Sequence, residues 1–242
     1  YGKGKMSSPR QIISFLENFF KQKDYFKKKN IRATVTAGPT REYIDPVRYI
    51  SNESSGKQGY EIALELSRLG IKTTLISGPT NINYSNEIKV KKIISGKQMF
   101  NEIKKTLPTD IAVCTAAVSD FKPVMKNKQK LKKKINLDKI QLEQNPDILE
   151  FLGKNNRHRP KLLVGFSAET EDIIKNSVEK MHEKHCDIIV ANDVSNKEAG
   201  FNVDFNEVTI IENNGEIQKI KKSSKKFIAS IIAKKIINSF LH

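Results

Sequence analysis

The chain contains no tryptophan among its 242 residues, and it has only two cysteines and four histidines. Cys114 and Cys186 lie far apart in apolar segments and form no CxxC pair, which indicates buried free thiols in a reducing, cytoplasmic compartment. The histidines show no zinc-site spacing, so no structural metal is predicted. No apolar run approaches the length of a membrane span and no signal peptide is visible, which argues against a membrane partner.

Acidic residues are also in short supply: 43 Lys and Arg against 27 Asp and Glu give a formal net charge of +16. A charge of this size is compatible with a nonenzymatic basic module that binds nucleic acid. The lysines are spread along the chain, however, and no segment resembles an aromatic RNA-binding strand or a recognition helix. A protein that binds several phosphorylated small molecules also gains from a positive field, and we prefer this interpretation to nucleic-acid binding.

Two common nucleotide-binding motifs are missing. The GxxxxGK[ST] pattern fails because Gln58 follows Gly56 and Lys57, and no GxGxxG follows a predicted strand. The second predicted strand ends in SGP at residues 77–79, without the acidic residue that a dinucleotide-binding fold carries. A dinucleotide or nucleotide-sugar oxidoreductase is therefore the less favoured enzyme class.

The most informative stretch is residues 34–69, TVTAGPTREYIDPVRYISNESSGKQGYEIALELSRL. It predicts a buried strand over residues 33–37, a long polar loop, and an amphipathic helix that ends at Gly70. The SSG segment at residues 54–56 offers N-cap oxygens and a glycine that a ligand can approach closely. Strand, small-residue turn and helix start together aim backbone N–H groups at an anion. An ordinary βα crossover is the alternative, but it needs no loop of this length.

Strands and helices alternate through the rest of the chain. Further strands are predicted at residues 72–77, 89–94, 110–117, 162–166 and 186–191. Helices are predicted at residues 97–106 and 171–184, and another helix is predicted to begin at residues 145–147. This alternation predicts a doubly wound, Rossmann-like, mostly parallel α/β sheet, with residues 186–191 as its last buried strand. A β-hairpin over residues 208–211 and 217–220 and a helix buried through Ile228, Ile232 and Ile236 follow.

Residues 122–143 interrupt the alternation with a concentration of lysines: Lys122, Lys126, Lys128, Lys130, Lys132, Lys133 and Lys134. Apolar residues lie between these charges, which predicts a lysine-rich β-flap with one packed side. Such a flap would bring ammonium groups to a polyphosphate. A solvated loop is the alternative. We call residues 122–143 the flap.

The loop sequence TAGPTREYIDPVRYISNESSGKQG closely resembles the signature of phosphopantothenoylcysteine synthetases, enzymes of coenzyme A biosynthesis. Further matches follow in order along the chain as AAVSDF, KLKKK, NPDIL, VGFSAETE, ANDVS and GFNVDFN, and the resemblance spans most of residues 31–212. The resemblance is closest to the bacterial type of synthetase, which is the C-terminal half of a bifunctional decarboxylase/synthetase. Residues 31–242 are then the synthetase domain.

Residues 1–30 are expected to be a linker and helix from an upstream decarboxylase domain, which would carry FMN, because GKGKMSSPRQII resembles the joining segment. Ser8 and Pro9 predict the start of a helix with an apolar side, followed by a charged connector over residues 21–30. A cloning remnant is the alternative for the first few residues.

The resemblance implies a ligase that joins 4′-phosphopantothenate to L-cysteine. CTP would activate the carboxylate as an acyl-cytidylate, with CMP and pyrophosphate as products. Mg²⁺ is expected on the triphosphate, although no acidic cluster in the sequence identifies its ligands. A homodimer is also implied.

Several residues take roles from the resemblance. Asn52 is expected to contact the acyl group and to help turn over the intermediate, and Lys130 to neutralise the triphosphate during activation. Asp120 and Phe166 correspond to the nucleotide pocket. The positions expected to bind phosphate or substrate are Gly38, Ser54, Ser55, Gly56, Lys132 and Lys133.

Overall fold

The structure is a computed structural model that describes residues 6–131, 139–194 and 204–241. Its strands are β1 (Arg32–Ala37), β2 (Arg41–Tyr43), β3 (Tyr49–Ser51), β4 (Lys72–Ser77), β5 (Lys89–Lys92), β6 (Ile111–Cys114), β7 (Phe121–Pro123), β8 (Leu142–Gln144), β9 (Leu162–Glu169), β10 (Ile188–Asp193), β11 (Phe205–Glu212) and β12 (Ile217–Ser224). Its helices are α1 (Pro9–Lys28), α2 (Lys57–Arg68), α3 (Gly96–Thr106), α4 (Ile148–Gly153), α5 (Ile173–Lys184) and α6 (Lys225–Leu241).

Eight strands form one sheet in the order β12-β11-β10-β9-β6-β1-β4-β5. All neighbours from β10 to β5 pair in parallel, whereas β11 is antiparallel to both β10 and β12. The predicted doubly wound, mostly parallel fold is therefore confirmed. The predicted hairpin is also confirmed, and it extends the main sheet. The expectation that residues 186–191 form the last buried strand is wrong, because β11 is buried along most of its length.

Helices cover both faces of the sheet. Along β10, Ile188 and Val190 belong to a buried cluster that includes residues of α2 and α6. Ile189, which points to the other face, belongs to a second cluster with residues of α3, α4 and α5. Burial on both faces explains why the central strands are continuous apolar runs rather than alternating ones.

The N-terminal helix differs from its prediction. Ser8 caps α1 through a capping box with Gln11, as its position before Pro9 predicted. The helix then continues to Lys28, so the predicted charged connector over residues 21–30 is wrong. The fully buried Phe26 holds the last turn against Phe240 of α6, and Lys27 lies where a cation favours the helix dipole.

Two small antiparallel ribbons lie outside the main sheet. One pairs β2 with β3, and the other pairs β7 with β8, which form the base of the flap. The predicted positions Lys132 and Lys133 lie outside the described residues. Within the described parts of the chain, no helix is long and apolar enough to cross a membrane.

Candidate active site

The sheet has a topological switch point beside β1. From β1 the chain passes through α2 to β4 on one side, whereas β6 pairs with β1 on the other side. Connections that leave in opposite directions open a crevice beyond the carboxyl ends of the two strands, and open α/β sheets bind their ligands there. Ala117 N donates to Gly38 O at 3.0 Å across this crevice, which joins the turns after the two strands.

One cavity of about 610 Å³ opens beyond β6 and β9. Asp120 and Phe166, both predicted for the nucleotide pocket, line it. Asn145 also lines it; its Nδ2 donates to Ser119 O at 2.8 Å, while its buried Oδ1 has no partner among the described residues. This cavity therefore combines an aromatic face, a carboxylate and a buried acceptor, a set that suits a ribose and an amino-bearing base.

A second cavity of about 650 Å³ adjoins the first and lies at the start of α2. The predicted residues Asn52, Ser54, Ser55 and Gly56 line it. The two cavities share Ala116, Val118, Asp120, Phe166 and Lys180. They are the two halves of one cleft, which we call the nucleotide side and the α2 side.

The start of α2 is built differently from the predicted serine cap. Gly56 occupies the N-cap position with φ 73°, and no side chain caps the helix. Ser54 Oγ instead accepts from Gly56 N at 3.3 Å. Since the first N–H groups of a helix have no partner within it, those of α2 remain available to an anion on the α2 side. A β-carbon on Gly56 would lie 2.8 Å from Thr80 Cγ2, which explains the glycine.

Gly38 supports this turn from below. It has φ 76°, and its Cα lies 3.2 Å from the position that a β-carbon on Gly56 would take. It lines neither half of the cleft. The structure thus places Gly38 behind the proposed phosphate-binding positions rather than among them.

The charges of two lysines on the α2 side are affected by neighbouring groups. Lys57 Nζ lies 2.5 Å from Asp204 Oδ1 in an exposed ion pair. Lys225, at the start of α6, is buried, and burial followed by repulsion from Lys57 lowers the pKa of its ammonium. A phosphate at this end of the cleft would offset the repulsion between the two cations.

Asn52 lies next to the wall that the two cavities share. Its Nδ2 donates to Val118 O at 3.1 Å, and Val118 lines both halves of the cleft. The preceding residue is fixed as well, because Ser51 Oγ donates to Thr40 O at 2.7 Å. The amide of Asn52 is thereby held near the junction, without a charge of its own.

The sequence analysis missed Lys180 and Lys184, an i, i+4 pair on α5 that lines the nucleotide side. Lys184 Nζ lies 3.3 Å from Asp147 Oδ2 and 3.3 Å from Glu150 Oε2. Its hydrogen bond to Glu183, together with these carboxylates, raises the pKa of Lys184 and keeps it protonated. The i, i+4 spacing after a predicted strand was the available signal, but lysines are too common in this chain for it to stand out.

Lys130 lines neither half of the cleft. It lies in the flap one residue before Leu131, whose backbone is hydrogen-bonded to the β2–β3 loop.

The cysteines show no sign of a nucleophilic role. Cys114 lines the nucleotide side, but burial raises the pKa of its thiol to about 12. Burial likewise raises the pKa of Cys186 to about 11. Both thiols are therefore neutral at physiological pH and weakly reactive. Both cysteines are free, as expected.

Residues 28–240 match the family described as DNA/pantothenate metabolism flavoprotein C-terminal domain. The coenzyme A biosynthesis bifunctional protein CoaBC of Haemophilus influenzae is 38% identical over 240 residues, which cover 99% of this chain and 59% of that protein. CoaBC of Bacillus subtilis is 36% identical over 226 residues, covering 93% of this chain and 55% of that protein. The chain thus spans a little over half the length of these relatives.

Solved structures agree with this relationship. The crystal structure of the C-terminal domain of CoaBC has a TM-score of 0.73 and 35% identity, and the match covers 87% of this chain and 96% of that one. A Cab2 variant in complex with phosphopantothenate-cysteine has a TM-score of 0.67, with 97% and 96% of the two chains covered; at 16% identity it supports the fold alone. The predicted relationship to the C-terminal region of bifunctional coenzyme A biosynthesis proteins is confirmed, and the chain belongs to the DNA/pantothenate metabolism flavoprotein C-terminal domain family.

Proposed function

We propose that this chain is a ligase that joins 4′-phosphopantothenate to L-cysteine at the expense of CTP. The observation that carries the proposal is the position of Asn52 beside the shared wall of a two-part cleft. A ligase that activates one substrate with another must bring both to one point. The two halves meet where an uncharged amide donor is held, and this suits a reaction that develops negative charge on an acyl oxygen.

The α2 side would bind 4′-phosphopantothenate. Its phosphate would lie at the uncapped start of α2, near Lys57 and Lys225, with Ser54, Ser55 and Gly56 around it. The carboxylate at the other end of the molecule would then point toward Asn52. Gln58 also lines this side, and its buried Oε1 has no partner among the described residues, so it is free to accept from a substrate amide or hydroxyl.

The nucleotide side would bind CTP. Asp120 would accept from the ribose hydroxyls, Phe166 would pack against the base, and Asn145 Oδ1 would accept from an exocyclic amino group. Lys180 and Lys184 line the same half and would pair with the phosphates. Lys130 lines neither half and would add a further ammonium by reaching in from the flap. Lys132 and Lys133 would extend this charge.

The reaction has two steps. An oxygen of the pantothenate carboxylate attacks the α-phosphorus of CTP, the P–O bond to the leaving group breaks, and pyrophosphate departs. The cysteine amine then attacks the acyl carbon, CMP leaves with the bonding electron pair, and the amine loses a proton as the amide forms. The protein supplies charge neutralisation and orientation, and it needs no nucleophile of its own.

Mg²⁺ would neutralise phosphate charge during the first step. Across residues 6–131, 139–194 and 204–241, no three His, Cys, Asp or Glu side chains lie together as a metal site. The oxygens of the triphosphate together with water would therefore supply most of its ligands, which is usual for this ion.

Incubation of the purified chain with 4′-phosphopantothenate, cysteine and equal CTP and ATP tests the proposal. We expect CMP and pyrophosphate as dominant products, because a pocket fitted to a pyrimidine rejects the larger adenine ring and mispairs its polar groups. Dominant AMP would refute the choice of CTP, and the absence of both nucleotide products would refute the ligase. Salt-sensitive binding of nucleic acid without pyrophosphate release would instead support a nonenzymatic basic module.

Two lysines of α5 provide a matched pair of variants. Lys180 lines both halves of the cleft, whereas Lys175 lies on the same helix beside a separate cavity. Lys180→Ala should raise the KM for CTP about tenfold or more, the effect of losing one charge-assisted contact of about 1.5–3 kcal/mol. Lys175→Ala should leave it unchanged. Equal effects of the two substitutions would indicate that general surface charge, rather than this cleft, attracts the nucleotide.

A further inference from the structure

Asp45 lies in the loop between β2 and β3, and its carboxylate is fully buried. A buried carboxylate is costly unless both oxygens are paired. Oδ1 accepts from the backbone N–H groups of Val47 and Arg48, each at 2.9 Å. Oδ2 accepts from Arg48 Nε at 3.0 Å and from Nη2 at 2.5 Å. Pairing with Arg48 holds the pKa of this carboxyl well below its ordinary range, so the ion pair persists throughout the physiological pH range.

This ion pair has a third member in a distant part of the chain. Asp45 Oδ2 also accepts from Leu131 N at 3.3 Å, and Arg48 Nη2 donates to Leu131 O at 3.3 Å. Both backbone polar groups of Leu131 are thus bound to one Asp–Arg pair. A planar guanidinium beside a carboxylate has a fixed geometry, so the pair defines where this peptide lies.

A second attachment lies four residues earlier. Asn127 N donates to Ile44 O at 2.9 Å, and its Nδ2 lies 3.4 Å from the same oxygen. Next to it, Lys126 Nζ lies 5.2 Å from the centre of the Tyr43 ring. The β2–β3 loop therefore holds the flap at residues 127 and 131, on both sides of Lys130.

We propose that Asp45 and Arg48 are positioning residues for Lys130. By fixing the peptide of Leu131, the pair sets the origin from which the Lys130 ammonium reaches the nucleotide side of the cleft. Neither residue needs to touch the nucleotide for this role. The inference rests on the proposed function, because it assigns Lys130 to the activation step.

The substitution Asp45→Asn tests the role with little change in shape. The amide keeps one acceptor oxygen, but its NH₂ group cannot accept from Leu131 N and Arg48 where Oδ2 now does. The attachment of the flap should weaken while the size of the side chain is retained. A misplacement of about 1 Å in a reacting arrangement can reduce a rate about 100-fold, so we expect the single-turnover rate of cysteine-independent pyrophosphate release to fall by about 10- to 100-fold.

The double variant separates positioning from an independent effect. If Asp45 acts through Lys130, then Asp45→Asn combined with Lys130→Gln should be no slower than Lys130→Gln alone. Glu42→Gln is the matched control: Glu42 is a buried carboxylate on β2, but its Oε1 accepts from Gly96 N at 2.7 Å rather than from Leu131. Its kinetics should match those of the unmodified chain.

Limited trypsin digestion measures how firmly the flap is attached to the β2–β3 loop, independently of activity. Asp45→Asn should accelerate cleavage after Lys126, Lys128 and Lys130, and Glu42→Gln should not, with thermal unfolding used to confirm that each variant is folded. If Asp45→Asn fails to fold, Arg48→Lys keeps a cation beside Asp45 but loses the fork that also reaches Leu131 O, and it should show an intermediate loss.

Multiplicative rate losses in the double variant, or unchanged cleavage in a folded Asp45→Asn chain, would overturn the positioning role alone. An unchanged rate in Lys130→Gln would overturn the proposed role of Lys130, and the positioning role with it.

Discussion

Replacement of Gly59 by alanine should destabilise the protein, although alanine is the better helix former. Gly59 lies in the first turn of α2, where the helix approaches β1. A β-carbon there would overlap Thr115 Oγ1, lie 2.7 Å from Ala37 Cβ and lie 3.0 Å from Thr36 O. Ala37 Cβ is fixed by the backbone of β1 and cannot rotate away. Since carbon atoms pack at about 3.5–4.0 Å, α2 must move away from the sheet by about 1 Å.

The magnitude follows from three opposing contributions. Alanine gains at most about 1 kcal/mol of helix propensity over glycine. Overpacking of a tight contact costs about 1–3 kcal/mol. If Thr115 rotates, the hydrogen bond from its Oγ1 to Thr36 O at 2.5 Å is lost as well, at about 0.5–1.5 kcal/mol. We expect a net destabilisation of about 0.5–3.5 kcal/mol, which for a chain of this size lowers Tm by about 1–14 °C.

Urea unfolding and the KM for 4′-phosphopantothenate together check this reasoning. Displacement of α2 also moves the N–H groups that line the α2 side, so the KM should rise with the loss of stability. The cost of Gly59→Ala should be smaller in a Thr115→Ala background, because one of the two overlaps is then removed. Gly215→Ala is the control: Gly215 has φ 89° and nothing within 4 Å, so it should lose stability through the backbone alone and leave the KM unchanged. Equal or greater stability of Gly59→Ala would refute the packing argument.

Three further predictions concern chemistry, pH and assembly. Asn52→Asp should slow amide formation more than pyrophosphate release, because a carboxylate opposes negative charge on the acyl oxygen; single-turnover assays that show equal losses would contradict this. The free energy of unfolding should decrease as the pH rises above about 9, since burial raises the pKa of Cys114 to about 12 and of Cys186 to about 11, so that only the unfolded chain releases these protons. In urea unfolding measured at several pH values, the chain with both cysteines changed to alanine should show a smaller decrease in the free energy of unfolding as the pH rises. Light scattering at micromolar concentration should show a homodimer, and a monomer would count against it.

The main sheet could be read from the sequence because its strands are short apolar runs separated by amphipathic helices. β1 and β4 lie within one residue of their predicted bounds. The attachment of the C-terminal hairpin to the main sheet could not be predicted in the same way, because pairing of β11 with β10 depends on contacts between residues far apart in the chain. The end of α1 was missed for a related reason. Its second half is rich in lysine, and only the tertiary contact of Phe26 with Phe240 shows that the helix continues.

The candidate site, too, could be predicted from the sequence only in part. Asp120 follows the end of a predicted strand and could be expected near the cleft, because parallel strands end at the same edge of the sheet, whereas Asn52 was expected there only from the family resemblance. The exact environment of these two residues could not be predicted from the sequence. Gly38 and Gly56 look alike in the sequence, but only the close approach between their backbones shows that one supports the turn and the other faces the cavity.

The net charge of the chain overstates the positive field available to a substrate. Lys57, Lys180, Lys184 and Lys225 all line the cleft, but Lys57 is paired with Asp204, and Lys184 contacts three carboxylates. A triphosphate that takes over these lysines must compete with partners that the folded protein already supplies, so part of each new attraction is offset by an ion pair lost. The gain per phosphate is therefore largest where the protein leaves a donor group uncapped. We therefore expect the start of α2, rather than the lysine-rich composition, to be the stronger anchor for an anionic substrate.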